Sequence, residues 1–368
     1  MSRVLITGGR APIALDLARA FAAAGHDVAM ADVFKTRMLA AFPQHTYASP
    51  VHAPLAFATD IRRLNADIAP DLVIPLCEEV FHLAALDHAM PLYAPPLATL
   101  MRLHSKLGFA DWARGLGLDA PATERVTGPV DVALAGRSVF KPEFSRFGTR
   151  CLVKPGATTL KHNGLYDNAL CNDWIRQDYI DGEDLCFHAL AQHGRLTAFA
   201  AYHSDWRTKG GASYHFQPLA PALSGRLRDI AKHLIAAGDL TGQIACDLRH
   251  DADDRLWLIE CNPRGTSGLH LLTHDPQALA RAFLSSEGDV LESDARPAGV
   301  GLAMMLYGAP QALRRGRLAQ WRRDVKARDV LNGVRLAALA DSLGHAASAA
   351  WRGQNLAAFL THDIECNG

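Results

Sequence analysis

Asp247, Glu260 and Asn262 are the residues of this 368-residue chain whose types and spacing best suit chemistry. They stand in QIACDLRHDADDRLWLIECNPRGTSG, from Gln243 to Gly268. Ile244, Ala245 and Cys246 are apolar, HDADDR at 250–255 is turn chemistry, and LWLI at 256–259 is a continuous apolar run. The pattern predicts strand, turn, strand. Alternation along a strand points Glu260 and Asn262 to one face. A hairpin folded at 250–255 brings Asp247, at the close of the first strand, beside them. Two carboxylates and an amide oxygen form a hard, all-oxygen set, suited to Mg²⁺ held partly by protein and partly by phosphate oxygens. The plainer alternative is a solvated acidic hairpin end. Against it stands the apolar run before Glu260, because ionised carboxylates are rarely buried without partners. PRGTSG (263–268) then adds a cation and a permissive, donor-rich loop.

The string LIECNPR resembles the metal-binding strand of the ATP-grasp superfamily, with its E-x-N-P-R pattern and an acidic residue thirteen positions upstream. The resemblance covers about the first 270 residues. It implies an α/β protein: a Rossmann-like domain at 1–95 that binds no dinucleotide, a two-lobed α+β ATP-grasp domain at 96–290, and a helix-rich region at 291–368. It implies ATP, with Mg²⁺ or Mn²⁺ in its place, and ligation of a small carboxylic acid to an amine or thiol through an acyl-phosphate. Asp247, Glu260 and Asn262 would hold the metal, and Arg264 would stabilise an oxyanion or fix the carboxylate, aided by Thr266 and Ser267.

The other parts of that pattern follow in order. Lys106 precedes a helix and GLGLDAPAT, as does the lysine that reaches the nucleotide phosphates at the start of such domains. Alone on a helix, it would be solvated. Residues 97–123 read as helical, interrupted by Gly108 and ended at Gly115–Gly117. Val139–Phe140–Lys141 is a short apolar strand ending in a lysine, which needs an anion if buried. FSRFGTR (144–150) would be a loop over phosphates, with Ser145, Arg146, Gly148 and backbone amides as donors. It is poorer in glycine than its counterparts. The stretch 173–196 reads as two strands around a Gly182 turn, with a hairpin at His193–Gly194. It resembles the inter-lobe hinge that reads adenine. There Asp178 and Ile180, flanking Tyr179, would offer backbone groups, and Gln177, where relatives often carry an acid, would stand by the exocyclic amine. Asp184 would hold the ribose, with Glu183 as the alternative. Arg207 and Lys209, before Gly210–Gly211, suit either the γ-phosphate or an acidic substrate, or form a solvated loop.

The positioning elements at the start of the chain are α/β. VLIT (4–7), DVAMAD (27–32) and DLVIPLC (71–77) read as strands, and Pro12–Ala24 as a helix ended by Gly25. Strands separated by helices imply a parallel sheet. Gly8–Gly9 with Asp32 suggests a dinucleotide site, but the third glycine of the fingerprint is missing and no tyrosine has a lysine four residues on, which argues against a reductase. PLYAPP (91–96) reads as a linker or edge strand.

Charges balance, 38 basic against 38 acidic, so there is no field to draw nucleic acid or an anionic membrane. No run approaches a membrane span, and seven scattered cysteines read as reduced core residues. The chain enters its first strand without signal-peptide regions, which predicts a cytoplasmic protein. The expected partners are a small-molecule carboxylate and amine, and a homodimer is compatible with them. The basic stretch 314–326 suits an acidic partner or, more plainly, a solvated helical face. Two other readings stay open: carboxyphosphate chemistry, as in carbamoyl-phosphate synthase or biotin carboxylase, and a nucleotide binder without catalysis or an NAD-dependent reductase.

Overall fold

The computed structural model describes residues 1–86, 90–145, 150–163, 165, 173–208, 212–354 and 356–368. The first sheet is parallel, ordered β3-β2-β1-β4, from β1 (Arg3–Thr7), β2 (Asp27–Asp32), β3 (Gln44–Thr46) and β4 (Leu72–Pro75). Helix Pro12–Ala23 opens on proline, whose missing N–H costs nothing in a first turn, and the chain leaves it at Gly25 with φ 84°. Its Ile13, Leu17 and Phe21 are buried. Residues 91–96 add one parallel bridge to the sheet edge, Leu92 beside Val73, with Tyr93 N–H donating to the Val73 carbonyl at 2.8 Å.

A second, antiparallel sheet is ordered β5-β8-β6-β7, from β5 (Thr123–Arg125), β6 (Ser138–Pro142), β7 (Leu152–Val153) and β8 (Trp174–Asp178). The third sheet has eight strands: β9 (Glu183–Gln192), β10 (Arg195–His203), β11 (His215–Pro218), β12 (Gly242–His250), β13 (Leu256–Asn262), β14 (Leu291–Glu292), β15 (Ala298–Gly299) and β16 (Arg328–Asp329). Its path is β13-β12-β9-β10-β11-β15-β16, with β14 on β10. Residues beyond 290 therefore extend this sheet as well as forming helices.

Alternation sorts the third sheet's side chains. Leu185, Phe187, Ile244, Cys246, Leu248, Leu256 and Leu258 face a core shared with Phe109, Leu227 and Leu234 of helices Lys106–Gly115 and Pro221–Ala237. Each such side chain contributes about 1.5–3 kcal/mol on burial. Leu190, Ala198, Tyr202 and Phe216 pack with Ile13, Leu17 and Phe21 of the first helix. The helical stretch after 97 divides at Ser105, not at Gly108. Ser105 caps the second helix by accepting from Gly108 N–H at 2.9 Å, and a Cβ at Gly108 would lie 3.2 Å from the Ser105 oxygen.

The segment 359–368 returns to the first sheet. The Arg10 guanidinium pairs with Asp32 and with Asp363 (2.5 Å), and donates to the Leu360 carbonyl at 2.9 Å. Cys366 N–H donates to Glu78 at 3.0 Å, while the His104 ring meets the Cys366 carbonyl at 3.3 Å. Among the described residues no helix is long and apolar enough to cross a membrane.

Candidate functional site

The hairpin forms as its spacing predicts. Asp251 N–H donates to the Arg255 carbonyl across the turn at 3.1 Å, and β12 pairs with β13 so that Asp247 stands opposite Glu260 and Ala245 opposite Asn262. One correction applies: Asp247 does not close its strand, which runs on to His250. The apolar run before Glu260 is not uniformly buried either. The register slips beside Asp247, where Leu248 pairs with Leu258, so Ile259 is an extra residue. This bulge resets the alternation. Leu256 and Leu258 face the core before it, and Cys261 after it, leaving Glu260 and Asn262 on the open face.

Two cations converge on that face. Lys106 Nζ lies 3.6 Å and Lys141 Nζ 3.7 Å from the same oxygen of Glu260. Both lysines are buried, and Lys106 also donates to the carbonyls of Ser145 (2.9 Å) and Glu143 (3.4 Å). Burial opposes ionisation of Glu260, but the two ammonium groups outweigh it and hold its carboxyl below the usual range. Asp247, hydrogen-bonded to Glu260, goes the other way: burial and the neighbouring carboxylate push it up. Glu143, whose carbonyl receives Lys106, is itself held through its carboxylate, which accepts from Ser105 and Arg125.

Residues 177–184 span the end of β8 and the start of β9. Gln177 is buried and its amide donates to Thr123 Oγ1 at 3.0 Å and to the Ile259 carbonyl at 3.5 Å, so it touches the bulge from the second sheet. The amides of Asp178 and Tyr179 are taken by the carbonyls of Ala122 (2.9 Å) and Arg137 (3.0 Å). The Tyr179 ring carries the Lys154 ammonium 3.8 Å from its centroid. Gly182 is required, because a Cβ there would meet the His250 carbonyl oxygen at 2.2 Å. Asp184 shares its face of β9 with Cys186, on the side of Asp247, whereas Glu183 alternates with core residues Leu185 and Phe187. Asp184 is gripped by Arg207 and Arg249, each at 2.9 Å. Sequence reasoning missed Arg249, although its two-residue spacing from Asp247 on one strand was a readable signal.

Arg264 is turned onto its own loop, donating to Asn262 Oδ1 at 3.2 Å and the Gly265 carbonyl at 3.3 Å. Gly265 permits that loop, since a Cβ would fall 2.9 Å from Ile13 Cδ1. Arg146 and Lys209 lie outside the described residues. At the first sheet, Asp32 is bound by Arg10, whose guanidinium also lies 4.5 Å from the Phe34 ring centroid, so the acid suggestive of a dinucleotide ribose is already engaged.

No family model matches the chain, and no curated protein matches it in sequence. Solved structures do match in fold. An N5-carboxyaminoimidazole ribonucleotide synthetase in complex with ADP superposes with TM-score 0.64 at 16% identity, over 85% of this chain and 86% of that one. An L-amino acid ligase from Bacillus licheniformis gives 0.59 at 14%, over 77% and 74%. The biotin carboxylase domain dimer of Hydrogenobacter thermophilus 2-oxoglutarate carboxylase, with MgADP and bicarbonate, gives 0.60 at 14%, over 77% and 70%. All three are ATP-grasp enzymes.

Proposed function

We propose that this chain, which has the ATP-grasp fold, is an ATP- and Mg²⁺-dependent ligase that joins a small carboxylic acid to an amine through an acyl-phosphate, releasing ADP and phosphate. The observation that carries this reading is the convergence of Lys106 and Lys141 on Glu260, itself paired across a hairpin with Asp247. A cluster of buried cations and acids on an open sheet face is costly unless a ligand of mixed charge completes it.

The donors fit a hard divalent cation. Burial and the neighbouring Glu260 push Asp247 up, and a bound cation held by the two carboxylates would offset both. Among the described residues no group of three or more His, Cys, Asp or Glu side chains forms a metal cluster. Two carboxylates with the Asn262 amide oxygen would leave a cation's remaining ligands to phosphate. Held by Asp247, Glu260 and Asn262, it would neutralise charge on the phosphates.

The chain's own residues do the rest by position and charge. Lys106, in the first turn of a helix, and Lys141, at the end of β6, offset phosphate charge. The Asp178 carbonyl and Ile180 amide are the proposed reading groups for adenine, with Gln177 and Tyr179 beside them. Asp184, oriented by Arg207 and Arg249, is the proposed acceptor for the ribose hydroxyls. A substrate carboxylate attacks the γ-phosphorus in line, forming the C–O–P bond as ADP leaves. The amine then adds to the acyl carbon and phosphate departs, with the proton lost from nitrogen. Arg264 would stabilise the oxyanion of that step, and Arg146 is proposed as a further phosphate donor.

The test is a panel of carboxylic acids, including amino acids and bicarbonate, crossed with amines in the presence of Mg·ATP and read by mass spectrometry. Substrate-dependent ADP and orthophosphate are expected. Bicarbonate belongs in the panel because the biotin carboxylase neighbour holds it. Substrate-dependent AMP and pyrophosphate would overturn the proposal, and NADH turnover would revive the reductase.

A further inference from the structure

Beneath the hairpin runs a line of side chains that reaches from Asp247 to the loop carrying Arg264. Cys186 and His188 project from the same face of β9, two residues apart. The Cys186 thiol donates to Asp247 Oδ1 at 2.9 Å, and His188 Nδ1 meets Thr266 Oγ1 at 3.1 Å. Tyr202, directly opposite Cys186 on β10 and packed beneath Gly268, stands between them, with Cys186 and Thr266 as side-chain neighbours of its hydroxyl. The line is therefore Asp247, Cys186, Tyr202, Thr266, His188.

Packing holds it tightly. A Cβ at Gly268 would lie 2.5 Å from the His188 Cβ and 2.8 Å from Tyr202 Cε1, so the loop rests directly on these two side chains. His188 is fully buried, and burial keeps its ring neutral, lowered to about 3. The Cys186 thiol is aimed at one oxygen of Asp247. A donor locked on one oxygen sets the rotation of that carboxylate, as groups behind a metal ligand do.

We propose that Cys186 and Tyr202 are positioning residues. Cys186 orients Asp247 for the cation, and Tyr202 ties that orientation to the Arg264–Gly268 loop, so that the two halves of the reaction, phosphoryl transfer and acyl transfer, share one support. This rests on the ligase reading for its cation, while the tie itself is a property of the metal-free protein.

Two measurements test it on the full chain. Mn²⁺ binding in the presence of ADP, followed by electron paramagnetic resonance, compares the wild type with Cys186→Ala and Cys186→Ser. Loss of the donor should weaken Mn²⁺ about tenfold, and serine, which keeps a donor, should return affinity to within about threefold of the wild type. Equal affinity in all three proteins, or equal weakening in both variants, overturns the orienting role. Hydrogen exchange of metal-free Tyr202→Phe, which keeps the ring and removes the hydroxyl, should quicken at 264–268 and remain unchanged in β13. Unaltered exchange at 264–268 overturns the tie. A wild type that binds no Mn²⁺ with ADP would sink the ligase reading and the orienting role with it, whereas the exchange measurement still decides the tie.

Discussion

Replacing Asp247 with asparagine should stabilise the metal-free protein while removing its activity. In that state burial and Glu260 raise the Asp247 carboxyl from 3.8 to about 6. A carboxyl raised on folding binds its proton more tightly in the native chain. Below about pH 4 it is protonated in both states and carries no penalty. As pH rises from 4 to 6 the unfolded chain ionises first, so stability falls, and above 6 the full penalty remains. At 1.36 kcal/mol for each tenfold change in proton affinity, that sets an upper limit of about 3 kcal/mol. Asp247 is only partly buried by surface area, so about half of that is the working figure. Asparagine keeps an acceptor for Cys186 and gains a donor toward Glu260. Urea unfolding in EDTA, followed by tryptophan fluorescence, should therefore give a variant more stable by about 1.5–3 kcal/mol at pH 7.5, with the gain fading toward pH 4. A variant less stable at pH 7.5, or a difference that ignores pH, would refute the crowded-carboxylate account.

Glu260→Gln should act oppositely on stability, since Glu260 is lowered on folding: its contribution is present above pH 4.5, is lost as pH falls toward 2, and disappears in the variant at neutral pH. The same variant should stay folded by circular dichroism yet lose about 10²-fold or more in phosphate release, and wild-type turnover would take Glu260 out of the cation site. Lys141→Ala should weaken ADP binding by about 1.5–3 kcal/mol in calorimetry, and an unchanged Kd would move the phosphate cradle elsewhere. Carboxylate labelled with ¹⁸O should pass the label to orthophosphate, and label-free phosphate would exclude an acyl-phosphate.

The hairpin was legible because its two signals are local: apolar runs and a turn rich in aspartate. The bulge at Ile259 was not, because an extra residue in a ladder leaves no mark on composition, and its effect here is to make buried and open positions look like one apolar run. β3, three residues of Gln-His-Thr, has no alternation to read and owes its extended form to β2 alongside. The helix break fell at Ser105 rather than Gly108 because capping chemistry, not glycine's flexibility, ends the turn. The lysines were found through their place in the series of motifs. What was out of reach was pairing at a distance, such as Arg207 with Asp184 or Arg125 with Glu143, which only the assembly of strands far apart in sequence creates.

The clamp between Arg10 and Asp363 joins positions 353 apart in sequence. Closing a flexible loop of that length would cost on the order of 5 kcal/mol, more than a buried ion pair returns after its desolvation. The clamp therefore does not draw the chain together. It forms when the intervening sheets have already folded and delivered segment 359–368 to the ends of β2 and β4. The contacts that the same segment makes with Glu78 and His104 through Cys366 are likewise held by the fold around them rather than by their own closure.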